Sequence, residues 1–122
     1  VEFYHSIIGG KLDIMLYSEM PGSEGVEISE SSKGRVMHSA IVFEDGNSIY
    51  FSDAWEEALV QIGNNSTIHL VVDNEKDVYD FVEKLSVGGE ITMPADRTFW
   101  NSVYGSCVDQ FGVCWGIEFE IK

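Results

Sequence analysis

The sequence predicts an α+β fold, a single domain built from two similar halves. Three observations carry that expectation. The chain has 122 residues, enough for one compact domain with a real core. The order helix, Gly-Gly, strand, long loop, hairpin occurs twice along it. The C-terminal stretch "TFWNSVYGSCVDQFGVCWGIEFE" alternates apolar with polar or small residues on either side of an Asp-Gln-Phe-Gly turn, the period of paired strands. The first half covers about residues 1–55, a connector 56–65 and the second half about 66–122.

In the first half, "VEFYHSII" places apolar residues at 1, 3, 4, 7 and 8, a helical spacing that Gly9-Gly10 terminates. Lys11 to Met20 alternates Leu12, Ile14 and Leu16 against Asp13, Met15 and Tyr17, which reads as a strand stopped by Pro21-Gly22. The polar, glycine-bearing run "GSEGVEISESSKG" reads as a mobile acidic loop. Arg35–Phe43 and Ser48–Ser52 form a hairpin about Asp45-Gly46, a strong turn pair. "DAWEEALVQIGNN" is a connector with room for a short helical turn.

The second half restates that order with one strand more. Ser66–Val72 is a strand, and Asn74 caps a helix with Val78, Phe81, Val82 and Leu85 on one face, ending at Gly88-Gly89. Glu90–Met93 is a strand ended by Pro94. Val103–Asp109 and Val113–Ile121 complete the hairpin.

Composition narrows the partners. Seven Lys and Arg against 21 Asp and Glu give a formal charge of -14, which repels nucleic acid and anionic membrane surfaces at long range. No apolar run approaches the roughly 20 residues of a spanning helix, and no basic stretch leads into an apolar segment at the start. A cytoplasmic location is expected. With a two-residue turn at Gln110-Phe111, Cys107 and Cys114 face each other directly across the strands, a geometry that suits disulfides poorly. Two reduced thiols are expected, and two cysteines are too few for a structural zinc site.

The segments "FYHSIIGGKL", "MPG", "RVMHSAIVFEDGNSIYFSD", "GGEITMP", "TFWNSVYG" and "DQFGVCW", taken in order over the whole chain, resemble the PhnB-like branch of the vicinal oxygen chelate superfamily. That superfamily includes glyoxalase I, extradiol dioxygenases and bleomycin-resistance proteins. The resemblance implies tandem βαβββ modules forming curled mixed sheets around a cleft, the glyoxalase-like fold, with the first strand of module 1 missing from this chain. It also implies a small-molecule ligand and a homodimer. Superfamily enzymes carry His, Gln or Glu on the first and last strand of each module to hold a divalent ion. By the repeat, those positions fall here on Gly116, Tyr50 and Thr67, none a usual ligand, so neither metal nor other cofactor is expected. No glycine-rich nucleotide loop follows a strand, which argues against a methyltransferase.

Strand alternation selects the candidate site. Val113, Trp115, Ile117 and Phe119, with Ile68, Leu70 and Val72, form the helix-packed face. Their alternates Cys114, Gly116, Glu118, Thr67, His69 and Val71 line the other face. The same reading turns Met15, Tyr17, His38, Ala40, Ser48 and Tyr50 inward. His69 and Glu118 meet if the first and last strands of module 2 are neighbours, as the resemblance implies. They are then either a base with its orienting carboxylate, able to take a proton beside a carbonyl, or a polar pair lining a groove. Tyr17, His38, Tyr50, Thr67, Trp100 and Cys114 are the candidate ligand contacts. Trp100 serves either stacking on a flat ligand or packing, and His38 either ligand contact or a core position. His5 falls on the polar side of its helix.

Three functions follow. One is a metal-independent isomerase or lyase using His69 or His38 as base. Another is sequestration of a drug or metabolite, in the manner of the bleomycin-resistance relatives. The third is a divalent-metal enzyme of glyoxalase or dioxygenase type, with His38, His69 and Glu118 as alternative ligands.

Overall fold

The computed structural model describes residues 1–19, 33–54 and 60–122, in two compact units, Val1–Val60 and Gln61–Lys122. Most of the predicted acidic loop, and the short helical turn of the connector, lie outside the described residues. No helix among the described residues is long and apolar enough to cross a membrane.

The first unit contains helix α1 (Glu2–Ile8) and strands β1 (Lys11–Leu16), β2 (Val36–Val42) and β3 (Ser48–Phe51), which form an antiparallel sheet in the order β1-β2-β3. Tyr4 of α1 is buried and stacks on Phe51 with ring centroids 5.3 Å apart, which seats the helix on the face that carries Ile41. The register pairs Met15 with His38 and Ala40 with Tyr50, so these four share the opposite face, as alternation predicts. The pairing shifts by one residue between Met15 and Leu16, and β1 ends there. Tyr17 therefore belongs not to the strand, as its alternation suggested, but to a 3-10 turn, Tyr17–Glu19. Its hydroxyl donates to the Asp53 carbonyl at 3.3 Å.

The second unit reads β4 (Ile68–Val71), α2 (Glu75–Leu85), β5 (Glu90–Arg97), β6 (Ser102–Val108) and β7 (Cys114–Glu120), in the sheet order β4-β7-β6-β5. Strand β4 runs parallel to β7 and the remaining pairs are antiparallel. This is one complete βαβββ module. Asn74 caps α2 as expected, its side chain accepting from the Asp77 N–H at 2.9 Å. Val78, Val82 and Leu85 bury against Val103, Cys107, Trp115 and Ile117 of the sheet, each large side chain contributing about 2 kcal/mol of hydrophobic stabilisation. Phe81, predicted on the same stripe, is only half-buried.

Strand β5 does not stop at Pro94 but continues to Arg97. It is the edge strand of the sheet, where a residue without an N–H costs no ladder bond, and its pairing shifts register between Met93 and Asp96.

One turn geometry recurs three times. Phe43–Asn47, Thr98–Ser102 and Asp109–Val113 each close a three-residue loop, the first residue's N–H donating to the last residue's carbonyl at 2.8 to 2.9 Å. The fourth residue returns its N–H to the first carbonyl and sits at positive φ: Gly46 at 90°, Asn101 at 66° and Gly112 at 86°. This is a type I turn followed by a bulged left-handed residue, and only glycine or asparagine enters that region cheaply.

The extra loop residue corrects the cysteine reading. Cys107 pairs with Trp115 and Cys114 with Val108, so the two thiols point to opposite faces. Both are free.

Candidate functional site

The side of the second sheet away from α2 carries the candidate site. Parallel pairing sets His69 opposite Gly116 and Val71 opposite Glu118. Side chains of neighbouring strands on one face then converge, and His69 Nε2 lies 3.0 Å from Glu118 Oε1. The two residues singled out from alternation thus meet. His69 keeps 45% of its side chain exposed and Glu118 only 14%, so the carboxylate lies beneath and the imidazole faces outward.

Glu118 has further partners. Trp100 Nε1 donates to its Oε2 at 3.0 Å, and the Ser102 hydroxyl donates to the same carboxylate. These donors hold the Glu118 carboxyl below its ordinary 4.5. Ser102 contributes most, then the Trp100 indole and the facing His69, against a desolvation that pushes the other way. Trp100 reaches this position because the loop from Thr98 to Ser102 is fixed at both ends. Thr98 Oγ1 accepts from the Ser102 N–H at 3.1 Å, and Asn101 Nδ2 donates to the Ile121 carbonyl at 3.1 Å.

Tyr104 completes the arrangement. It pairs with Glu118 across β6 and β7, and its ring stacks on His69 with centroids 5.9 Å apart and planes 18° from parallel. Trp100 tilts toward it at 6.2 Å. Tyr104 and Ser102 do not follow from alternation within β7 alone. Counting the hairpin register across a three-residue loop at Gln110–Gly112 finds Tyr104, since that count sets it opposite Glu118.

The other candidates are more scattered. Thr67 is exposed and precedes β4 rather than lying in it. Cys114 is half-buried on the same face as Glu118, at the far end of β7. In the first unit, His38 is exposed, which corrects the core reading of that residue, and its ring meets Tyr50 edge-on at 5.0 Å. His38 holds the same place relative to Gly46 that Tyr104 holds relative to Gly112. His5 is half-buried, its Nε2 3.0 Å from the Gly10 carbonyl oxygen.

A divalent ion at the superfamily position does not fit these residues. Gly116 has no side-chain donor, Tyr50 and Thr67 are poor ligands for such an ion, and no group of three His, Cys, Asp or Glu converges among the described residues. His69 and Glu118 offer two donors that are already turned toward each other.

Comparison with known proteins agrees with this architecture. Solved structures with the same fold include protein PA1353 from Pseudomonas aeruginosa, 28% identical with a TM-score of 0.83 over 99% of this chain and 86% of that one. A PhnB protein from Bacillus cereus matches at 19% identity and a TM-score of 0.67, over 97% and 86% of the two chains. A glyoxalase/bleomycin resistance protein/dioxygenase family enzyme from Burkholderia phytofirmans matches at 13% and 0.60, over 98% and 87%. No protein with a curated description matches. A family profile matches residues 1–117, and the chain belongs to the glyoxalase/bleomycin resistance protein/dioxygenase superfamily.

Proposed function

We propose that this chain binds a small molecule on the second sheet and acts on it as a metal-independent isomerase or lyase, with His69 as the base and Glu118 orienting it. The observation that carries the reading is the 3.0 Å contact between His69 Nε2 and Glu118 Oε1. A carboxylate held ionised favours the imidazole proton on Nε2. The lone pair is then on Nδ1, on a half-exposed ring, where it can accept a proton from a ligand. The net charge of -14 and the ionised Glu118 favour neutral or cationic ligands. The resemblance to the superfamily supports a homodimer, measurable by light scattering.

A second reading has its own support. Phe99 is 98% exposed and Trp100 48% exposed beside the pair, which offers flat apolar surface to a planar ligand and suits sequestration of a drug or metabolite.

The test begins with elemental analysis of freshly purified protein, repeated after dialysis with nickel, zinc, manganese and iron. Near-stoichiometric metal would overturn the reading. Turnover of a ligand found by screening, lost in His69→Gln, supports catalysis. Tight binding that leaves the ligand chemically unchanged supports sequestration instead.

A further inference from the structure

Gly116 lies beneath both rings of the site. A Cβ at this position would lie 2.9 Å from Tyr104 Oη and 3.2 Å from His69 Nδ1, so both atoms close down on one point over the strand. A side chain there would force them apart. With His69 Nε2 turned to Glu118, Nδ1 is the ring nitrogen that lies, like Tyr104 Oη, over Gly116. Neither atom has a hydrogen-bond partner among the described residues. One is a proton donor and the other a proton acceptor.

We propose that Tyr104 is a second catalytic residue, whose hydroxyl donates to the carbonyl oxygen of an enolisable substrate while His69 Nδ1 takes the proton from the adjacent carbon. Gly116 is the position that lets the two converge. The step balances without another reactant. The C–H bond breaks, its electron pair becomes the carbon–carbon π bond of an enolate, the proton goes to Nδ1, and the negative charge gathers on the oxygen that faces Tyr104 Oη. Return of the proton to the other face of the same carbon gives an isomer, and loss of a β-substituent gives an elimination product. A preplaced donor at a developing oxyanion is among the larger single contributions to such catalysis. The substrate class is a small neutral or cationic carbonyl compound with an acidic α C–H, bordered by the Trp100 ring. This rests on the reading of His69 as base.

The experiment follows exchange of the α protons of hydroxyacetone in deuterium oxide by proton NMR. Wild type, His69→Gln, Tyr104→Phe and Gly116→Ala are compared, and folding is checked by thermal melts. Long-range nitrogen NMR of the His69 ring reports the tautomer. Wild type is expected to exceed the buffer rate and His69→Gln to fall to it. Tyr104→Phe should lose about a hundredfold in kcat with KM little changed, the Nε2–H tautomer intact and the melt unaltered. Gly116→Ala should lose exchange as well, and it decides the matter should Tyr104→Phe fail to fold. Exchange at the wild-type rate in Tyr104→Phe and Gly116→Ala overturns the role of Tyr104 and leaves His69 standing. No exchange by wild type, or an Nδ1–H tautomer, overturns the reading of His69 as base, and this proposal with it.

Discussion

Trp100 Nε1 donates to Glu118 Oε2 at 3.0 Å while His69 Nε2 faces the other oxygen of the same carboxylate at 3.0 Å. One side chain, 14% exposed, thus fixes two rings that border the site, the indole from the β5–β6 turn and the imidazole from β4. Replacing it by its amide isostere removes one acceptor without changing volume. Glu118→Gln should free either the indole or the imidazole and cost about 1–3 kcal/mol, the usual penalty for a covered polar group left unpaired. Urea unfolding measures the loss, and greater acrylamide quenching of tryptophan fluorescence reports the loosened Trp100.

The same carboxyl gives a pH dependence of defined sign. Its donors hold the folded-state value below the ordinary 4.5. The stability it contributes is therefore complete above the usual carboxylate range and lost as pH falls through the depressed value. The advantage of wild type over Glu118→Gln should accordingly shrink only below pH 4.5. A carbon-13 titration of the Glu118 carboxyl checks the premise, and a midpoint at or above 4.5 would refute it.

Cys107 acts at the other end of the scale. It is 1% exposed beneath α2. Burial, with the nearby charge of Asp109 and the second thiol adding to it, pushes the thiol from 9.0 up to about 11. A raised value means that the neutral form is favoured in the folded state, so the stability it contributes is complete below 9.0 and lost as pH rises toward 11. Cys107→Ala should flatten that part of the alkaline unfolding curve, although the cavity lowers stability overall. In native protein a thiol reagent should modify Cys114 first and reach Cys107 only on unfolding.

The two turn glycines separate backbone strain from crowding. Gly46 has φ 90° and nothing within 4 Å of a built Cβ, whereas Gly112 has φ 86° and the Ile62 Cγ2 atom at 2.7 Å. Gly46→Ala should therefore pay only the left-handed conformation, about 1–2 kcal/mol. Gly112→Ala should lose more, because Ile62 must also move. Thermal melts of the two variants give the order, and equal losses would show that Ile62 yields freely.

These turns also mark how far the sequence could be read. Alternation puts His69 and Glu118 on one face, because strand side chains repeat every two residues, and the strand adjacency implied by the family resemblance brings them together. Tyr104 escaped because register across a hairpin depends on loop length. A two-residue loop at Gln110-Phe111 sets Cys107 against Cys114 and turns Tyr104 toward the helix face. The bulged third residue, Gly112, moves every partner by one and sets Tyr104 opposite Glu118. Tyr17 departs from the strand for the same kind of reason, a register shift after Met15 that alternation does not reveal. Pro94 misled because propensity does not reveal which strand lies at an edge. The repeat maps the superfamily's ligand positions onto Gly116, Tyr50 and Thr67, none a usual ligand for a divalent ion, and metal analysis of the protein tests that expectation.

The Asp-Gln-Phe-Gly turn itself depends on Asp109. This residue is buried, and Oδ1 accepts from the N–H groups of Phe111 and Val113 at 2.8 and 3.0 Å while Oδ2 accepts from Trp115 Nε1 at 2.8 Å. The carboxylate therefore ties the loop to the largest side chain of the core. Asp109→Ala leaves three donors to find other partners, and a loss of about 3–5 kcal/mol is expected. Asp109→Asn keeps the volume and the two turn bonds through its carbonyl, but its amide N–H₂ faces the Trp115 N–H and cannot accept from it. Its loss should fall between that of wild type and alanine, with Trp115 fluorescence altered. If both variants unfold like wild type in urea, the hairpin is held by strand pairing alone, and the buried aspartate has no structural role in closing it.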